Sequence, residues 1–186
     1  MAAQLALKIV WLGDNAVGKT SMLMRFTEGS FQATYPEFEQ KIKHVSLSGQ
    51  DVKLLLWDTM GMERFRNITS GYLLGHDLVF LVFDVSNEAS FTNMEGWLME
   101  VKRRPTSIKV LIGNKIDCPD GPRKVDSARA KAWADEHQLG YFEISCKTGE
   151  NVEAAIMQSA EIALKKKLEL EARGTETTTN PCCTLL

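Results

Sequence analysis

Short apolar segments alternate along the chain with longer segments in which apolar residues recur every three or four positions. Residues 77–84 are almost continuously apolar, as expected of a strand covered on both faces. The apolar segments predict strands at 5–12, 38–48, 51–57, 78–84, 108–113 and 140–144. The helical spacing predicts helices near 18–27, 62–74, 88–103, 126–137 and 150–171. Alternation of this kind favours an α/β fold with helices on both faces of a mostly parallel sheet.

One pair of predicted strands departs from this parallel order. Only Ser48, Gly49 and Gln50 separate the second strand from the third, so these two strands are expected to form an antiparallel hairpin. The prediction is therefore a six-stranded, mostly parallel sheet with one antiparallel edge strand.

A glycine-containing segment follows the first predicted strand. Residues 13–20 are Gly-Asp-Asn-Ala-Val-Gly-Lys-Thr and match the phosphate-loop pattern G-x-x-x-x-G-K-T/S where a strand turns into a helix. There the backbone N–H groups and the helix N-terminus face one anion, Lys19 reaches the β- and γ-phosphates, and Thr20 ligates magnesium. The candidate nucleotide-binding residues are Asn15, Ala16, Val17, Gly18, Lys19, Thr20 and Ser21. The alternative is a glycine turn with an incidental lysine, which this context disfavours.

A second polar segment predicts which base is bound. Residues 114–117, Asn-Lys-Ile-Asp, follow the fifth predicted strand. The Asp117 carboxylate can accept hydrogen bonds from the ring N1–H and the exocyclic amine of guanine, whereas adenine has no such donor pair and would leave the charge unpaired. Asn114 can brace the loop, and the Lys115 stem can cover one face of the base. Following a phosphate loop, this pattern favours guanine.

A third segment follows the last predicted strand. The backbone N–H groups of Ser145, Cys146 and Lys147 could meet the guanine oxygen, although taken alone this is an ordinary strand-to-helix loop. All three segments lie at the carboxyl ends of predicted strands, which is where ligands bind in open α/β sheets. The sequence therefore predicts a nucleoside triphosphate site that prefers guanine.

Composition describes one ordinary domain. A chain of 186 residues with 44% hydrophobic and 25% charged content can bury one sizeable core. The net charge of −2 gives no electrostatic reason to expect nucleic acid as a partner. We predict a monomeric domain over residues 1–171 and a flexible, polar C-terminal tail over 172–186.

The order and spacing of these motifs resemble a small GTPase of the Ras superfamily, and within it the Rab family. The resemblance implies a P-loop NTPase G domain that binds GTP or GDP with Mg²⁺. In this pattern Asp58 is linked to magnesium, the Gly61 N–H meets the γ-phosphate, and Phe31 covers the edge of the guanine. Further Rab-like segments are Lys53–Trp57, Arg64–Thr69 and Leu81–Ser86.

The residues expected to hydrolyse GTP depart from the family pattern. Relatives have Asp-Thr-Ala-Gly-Gln, whose Gln orients the attacking water, whereas residues 58–62 here are Asp-Thr-Met-Gly-Met. Met62 therefore replaces the catalytic Gln. Lys19 and Gly61 are the other candidate catalytic residues. A thioether is a weak acceptor without an N–H group, so hydrolysis is expected to be slow or impaired. Met62 could also simply fill apolar space, which is compatible with lost chemistry.

The first switch also departs from the family. Relatives have a Thr that closes over magnesium when the γ-phosphate is present, and the only Thr between Phe31 and Trp57 is Thr34. Thr34 is thus a candidate magnesium ligand. If no side chain from this loop ligates the metal, the GTP and GDP forms differ less in shape.

Rab proteins select partners through an aromatic patch between the switches. Trp57 and Tyr72 match two members of this patch, and Phe38 is a candidate for a third. Trp57 and Tyr72 could equally be partly buried packing residues. The resemblance implies effector, exchange-factor and prenyl-chaperone proteins as partners.

The tail ends in a lipidation pattern. Cys182 and Cys183 resemble doubly geranylgeranylated Rab tails, and the last four residues also fit a C-a-a-X pattern ending in Leu. Two lipids would anchor the chain stably, on the cytoplasmic side of endomembranes with cycling to the cytosol. The alternative is a pair of incidental thiols. A reducing compartment implies that Cys118 and Cys146 form no disulfide.

Three functions follow from these observations. The first is a slow GTPase switch in membrane trafficking, and the second is a pseudo-GTPase adaptor whose nucleotide is structural. The third is a phosphate-loop kinase, which guanine recognition and the lack of an evident acceptor pocket in the sequence disfavour.

Overall fold

The computed structural model of the chain describes residues 5–32, 40–58, 75–102, 107–118 and 121–176. The strands within these ranges are β1 (Ala6–Leu12), β2 (Gln40–Leu47), β3 (Gln50–Trp57), β4 (Leu78–Asp84), β5 (Ile108–Asn114) and β6 (Gly140–Glu143). The helices are α1 (Lys19–Glu28), α2 (Glu88–Thr92), α3 (Met94–Lys102), α4 (Ser127–Glu136) and α5 (Val152–Glu176).

The six strands form one sheet in the order β2-β3-β1-β4-β5-β6. Strand β2 is antiparallel to β3, with Ile42 opposite Leu55, and the other neighbouring pairs are parallel. The predicted mostly parallel sheet with one antiparallel edge strand is therefore confirmed. Because β1 and β4 lie in the middle, their carboxyl ends meet near the centre of one sheet edge.

Side chains of β1 divide the core into two parts. Ile9 and Trp11 join a cluster with residues of α1 and α5, whereas Val10 and Leu12 join a second cluster with residues of α3 and α4. Successive side chains of a strand point to opposite faces, so the two clusters lie on opposite faces of the sheet. Every residue of β4 is buried, as its apolar sequence predicts.

Two of the helices predicted within the described residues differ from the structure by more than one or two residues at their ends. The single helix expected over 88–103 is divided at Asn93 into α2 and α3. The Asn93 side chain donates a hydrogen bond to Asp14 of the phosphate loop. Helix α5 continues through Glu176, five residues beyond its predicted end, so the start of the predicted polar tail is helical. The helix predicted at 62–74 lies outside the described residues. None of the described helices is long and apolar enough to cross a bilayer.

Candidate functional site

Two glycines shape the loop that joins β1 to α1. Gly13 has φ +147°, and a Cβ atom there would lie 2.1 Å from the Val82 carbonyl oxygen. Gly18 has φ +98°, and a Cβ atom there would lie 2.2 Å from the Asn114 side-chain nitrogen. Both positions combine a left-handed backbone with a close neighbour, so any side chain would force the loop or its neighbour to move.

Lys19 crosses the loop that precedes it. Its side chain is almost fully buried, and its ammonium group donates to the carbonyl oxygens of Gly13, at 2.9 Å, and Asp14, at 2.7 Å. Lys19 also begins α1, whose first turn contains no acidic residue. The ammonium group and the N-terminal end of the helix therefore place positive charge on one loop, as an anion-binding site requires.

Asp14 fixes the other side of the same loop. Its carboxylate accepts hydrogen bonds from Trp97 Nε1, at 2.9 Å, and from Asn93 Nδ2, at 2.7 Å. These contacts tie the loop to the start of α3. This arrangement was not predicted, since no local pattern in the sequence connects residues 83 positions apart.

The two described candidate metal ligands lie side by side. The Thr20 hydroxyl donates to Asp58 Oδ2 at 2.6 Å, and both residues are buried. Thr20 comes from the first turn of α1, and Asp58 directly follows β3. A hydroxyl and a carboxylate are oxygen ligands that suit Mg²⁺, which completes its shell with water and phosphate oxygens. The residues present therefore fit a magnesium ion.

Asn114 joins the phosphate loop to the loop after β6. It is 1% exposed, its amide nitrogen donates to Val17 O at 2.8 Å, and its amide oxygen accepts from Cys146 N at 3.2 Å. This bracing contact agrees with the role expected from the sequence. The two loops are thus held at a fixed separation by one side chain.

Asp117 has one satisfied and one unsatisfied carboxylate oxygen. Oδ1 accepts a hydrogen bond from Ser145 Oγ at 2.6 Å, whereas Oδ2 is buried and accepts none from the described residues. A buried carboxylate oxygen without a donor is costly, so such an atom favours a ligand that brings N–H groups.

Lys115 has a left-handed backbone, with φ +66°, and its ammonium group lies 2.8 Å from Asp84 Oδ2. Asp84 ends β4 and also accepts hydrogen bonds from the backbone and hydroxyl of Ser86. The ion pair holds the Lys115 stem across the carboxyl ends of β4 and β5.

The segment after β6 is held from two sides. Cys146 is buried, and burial raises the pKa of its thiol to about 12, so the thiol stays neutral. On the side of α1, the Arg25 guanidinium donates to the carbonyl oxygens of Cys146, at 2.8 Å, and Lys147. Arg25 was not predicted as a site residue.

The remaining described candidates are less tightly held. Asn15 and Ala16 are exposed, with Asn15 Oδ1 accepting from Ala16 N at 2.8 Å, and Ser21 is half-buried. Phe31 is 42% exposed. Val17, in contrast, is buried in the core.

Trp57 is partly buried and packs against the second core cluster, with its ring edge-on to His76. This placement matches the packing alternative, and its role on an effector surface stays a prediction. The other candidates lie outside the described residues: Thr34, Phe38, Gly61, Met62, Tyr72, Cys182 and Cys183.

Comparison with known proteins gives consistent matches. A family model described as the Ras family matches residues 8–165, which include every described loop of this site. The chain is 38% identical to the Ras-related protein RAB1BV of Beta vulgaris, over 83% of this chain and 74% of that protein. It is 35% identical to the GTP-binding protein ypt2 of Schizosaccharomyces pombe, over 95% and 96%. It is 37% identical to the Ras-related protein Rab-13 of Rattus norvegicus, over 86% and 80%.

Proposed function

The chain belongs to the Ras family and is a Rab-type small GTPase, and from this premise we propose that it is a guanine-nucleotide switch that hydrolyses GTP slowly. Rab relatives act in vesicle trafficking on endomembranes.

The observation that supports guanine recognition best is the unsatisfied Asp117 Oδ2 atom. Guanine presents two N–H donors on one edge, so its binding would satisfy this oxygen, whereas adenine would leave it unpaired. Ser145 holds the other oxygen and so fixes the plane of the carboxylate. The Lys115 stem, held by Asp84, is available to cover one face of the base.

The loop at residues 13–20 would bind the phosphates through its backbone N–H groups and the Lys19 ammonium group. Thr20 and Asp58 would hold Mg²⁺ through their side-chain oxygens. When bound, the ion neutralises charge on the β- and γ-phosphates. Thr34 is a candidate for a third contact from the first switch.

Slow hydrolysis follows from Met62. A Gln at this position would hold the attacking water by donating and accepting hydrogen bonds, and a thioether does neither effectively. Loss of one such group costs on the order of 2–4 kcal/mol of transition-state stabilisation. The rate is therefore expected to fall by a factor of roughly 30 to 1000.

Single-turnover GTP hydrolysis tests this proposal. Met62→Gln is expected to raise the rate at least about tenfold. The matched control is Met99→Gln, which makes the same chemical change at an exposed side chain of α3 and should leave the rate unchanged. If Met62→Gln binds GTP but hydrolyses no faster, the slow-switch proposal fails.

That negative result would support the second candidate, a pseudo-GTPase adaptor with a structural nucleotide. The replacement of Gln by Met62 favours this candidate as well, because it removes the group that orients water. The two candidates also differ in shape: an adaptor keeps one conformation with GTP and GDP, whereas a switch does not.

Membrane attachment belongs to the same proposal. Geranylgeranyl groups on Cys182 and Cys183 would anchor the chain on the cytoplasmic side of endomembranes, with prenyl-chaperone, exchange-factor and effector proteins as partners. Replacing both residues with Ser should abolish sedimentation with membranes, and unchanged sedimentation would contradict this part.

A further inference from the structure

Arg25, in the last turn of α1, connects three segments around the candidate nucleotide site. Its Nε donates to Cys146 O at 2.8 Å, Nη2 donates to Lys147 O, and Nη1 donates to Gly29 O at 2.8 Å. One guanidinium group thus fixes two consecutive carbonyl groups of the loop after β6. Its planar set of donors suits such a cluster better than an ammonium group does.

The contact with Lys147 O has a consequence for Asp117. In a trans peptide the carbonyl group and the following N–H group point in opposite directions, so the Lys147 carbonyl group sets the direction of Thr148 N–H. Thr148 N–H donates to Ser145 Oγ at 3.0 Å, and Ser145 Oγ donates to Asp117 Oδ1 at 2.6 Å. Arg25 is therefore connected to the proposed guanine-binding carboxylate through one peptide group and one hydroxyl.

The contact with Cys146 O acts on the neighbouring peptide. The Cys146 carbonyl group points to Arg25, so the Lys147 N–H group points away from Arg25. The preceding peptide is held by Asn114, which accepts from Cys146 N. Successive peptide planes of this loop are thus held from two sides.

Arg25 also lies near the candidate guanine cover. The carbon atom of its guanidinium group is 6.0 Å from the centroid of the Phe31 ring, within the range of a cation–π contact. Its hydrogen bond to Gly29 O fixes the chain two residues before Phe31. The same side chain therefore contacts the base-binding loop and the segment expected to cover the base.

We propose that Arg25 is a positioning residue that orients the base-binding loop and thereby slows release of the bound guanine nucleotide. The inference rests on the proposed function, since it assigns a role in retaining the same nucleotide. Arg25 lines a cleft of about 310 Å³ between α1, β2 and the start of α5. Water can therefore replace the guanidinium group in a variant. Loss of the Arg25 side chain should thus loosen the base-binding loop after β6 without unfolding the domain.

The test is the dissociation rate of fluorescently labelled GDP in the presence of Mg²⁺. Removing a charged donor that makes several backbone hydrogen bonds should speed release by Arg25→Ala about tenfold to a hundredfold. Arg25→Lys, which keeps the charge but loses the planar fork, should give an intermediate rate. The control is Arg129→Ala, because Arg129 lies 5.0 Å from the Phe91 ring and pairs with Glu88 away from the site. Its release rate should stay at the wild-type value.

A second nucleotide separates positioning from general stabilisation. Inosine diphosphate lacks the exocyclic amine of guanine, so a correctly oriented Asp117 holds it less well than GDP. If Arg25 orients Asp117 through Ser145, Arg25→Ala should reduce the ratio of the dissociation rate of inosine diphosphate to that of GDP. A merely structural role would speed both releases by the same factor, and that result would overturn the inference.

The remaining outcomes are also distinguishable. Wild-type release rates in Arg25→Ala would overturn this inference and leave the proposed function intact, because GDP would still bind. Failure of the wild-type chain to bind GDP would overturn the proposed function itself. If Arg25→Ala does not fold, Arg25→Lys is the deciding variant. A wild-type GDP dissociation rate in Arg25→Lys would then overturn the inference.

Discussion

Asn114→Ala removes the side chain that joins the phosphate loop to the base-binding loop. It deletes the hydrogen bond to Val17 O, at 2.8 Å, and the one from Cys146 N, at 3.2 Å. Each buried backbone group left without a partner costs about 1–3 kcal/mol, so the free energy of unfolding should fall by about 2–6 kcal/mol. For a chain of this size each 1 kcal/mol lowers the melting temperature by roughly 2–4 °C, so a loss of at least about 4 °C is expected.

The assays are urea unfolding and thermal unfolding, both followed by circular dichroism, on protein stripped of nucleotide and metal so that lost binding does not contribute. The control is Asn93→Ala, which removes one hydrogen bond between exposed side chains, to Asp14 at 2.7 Å. This control should lose less than about 1 kcal/mol. If the two variants lose the same free energy of unfolding, the Asn114 side chain does not brace the loops and the reasoning is refuted.

Three further predictions concern the same region. Gly18→Ala should abolish GDP binding, measured by calorimetry, since its Cβ would lie 2.2 Å from the Asn114 side chain at φ +98°. In the folded protein a maleimide at pH 8 should leave Cys146 unmodified, because burial raises its pKa to about 12, and mass spectrometry of peptides measures this. Burial raises the pKa of Glu143, but hydrogen bonds from Arg123 and two hydroxyl groups outweigh it and hold the pKa below its usual value. Arg123→Ala should therefore lower the free energy of unfolding by about 1 kcal/mol at pH 7. The loss should become smaller as the pH falls below the ordinary Glu pKa of about 4.3 and then through the lower pKa that Glu143 has in the folded protein.

The sheet could be predicted from the sequence because buried parallel strands are continuous apolar segments. The predicted strand at 78–84 coincides with β4, and β5 differs from its prediction only by including Asn114. The motifs could be placed together for the same reason, since the topology of a parallel sheet brings the carboxyl ends of its strands to one edge. The close approach of Asn114 to the phosphate loop follows from that topology and from the residue types.

Other features depend on contacts that leave no local pattern. The hydrogen bond from Trp97 to Asp14 and those from Arg25 to the loop at 146–147 join residues 83 or more positions apart. The division of the helix at Asn93 was missed because Asn93 has only a weak preference against a helix, and its contact with the phosphate loop is not visible in the sequence. The extension of α5 to Glu176 was missed because polar helix formers such as Glu and Arg are also common in tails.

Competition for labelled GDP tests the central claim most directly, which is that the phosphate loop and Asp117 together form a site selective for guanine. Unlabelled GDP and ADP would be titrated against the complex in the presence of Mg²⁺. We predict that GDP displaces the label at a concentration at least about 100-fold lower than ADP, because adenine leaves the buried Asp117 oxygen unpaired. Displacement by ADP at the same concentration as GDP would contradict the account.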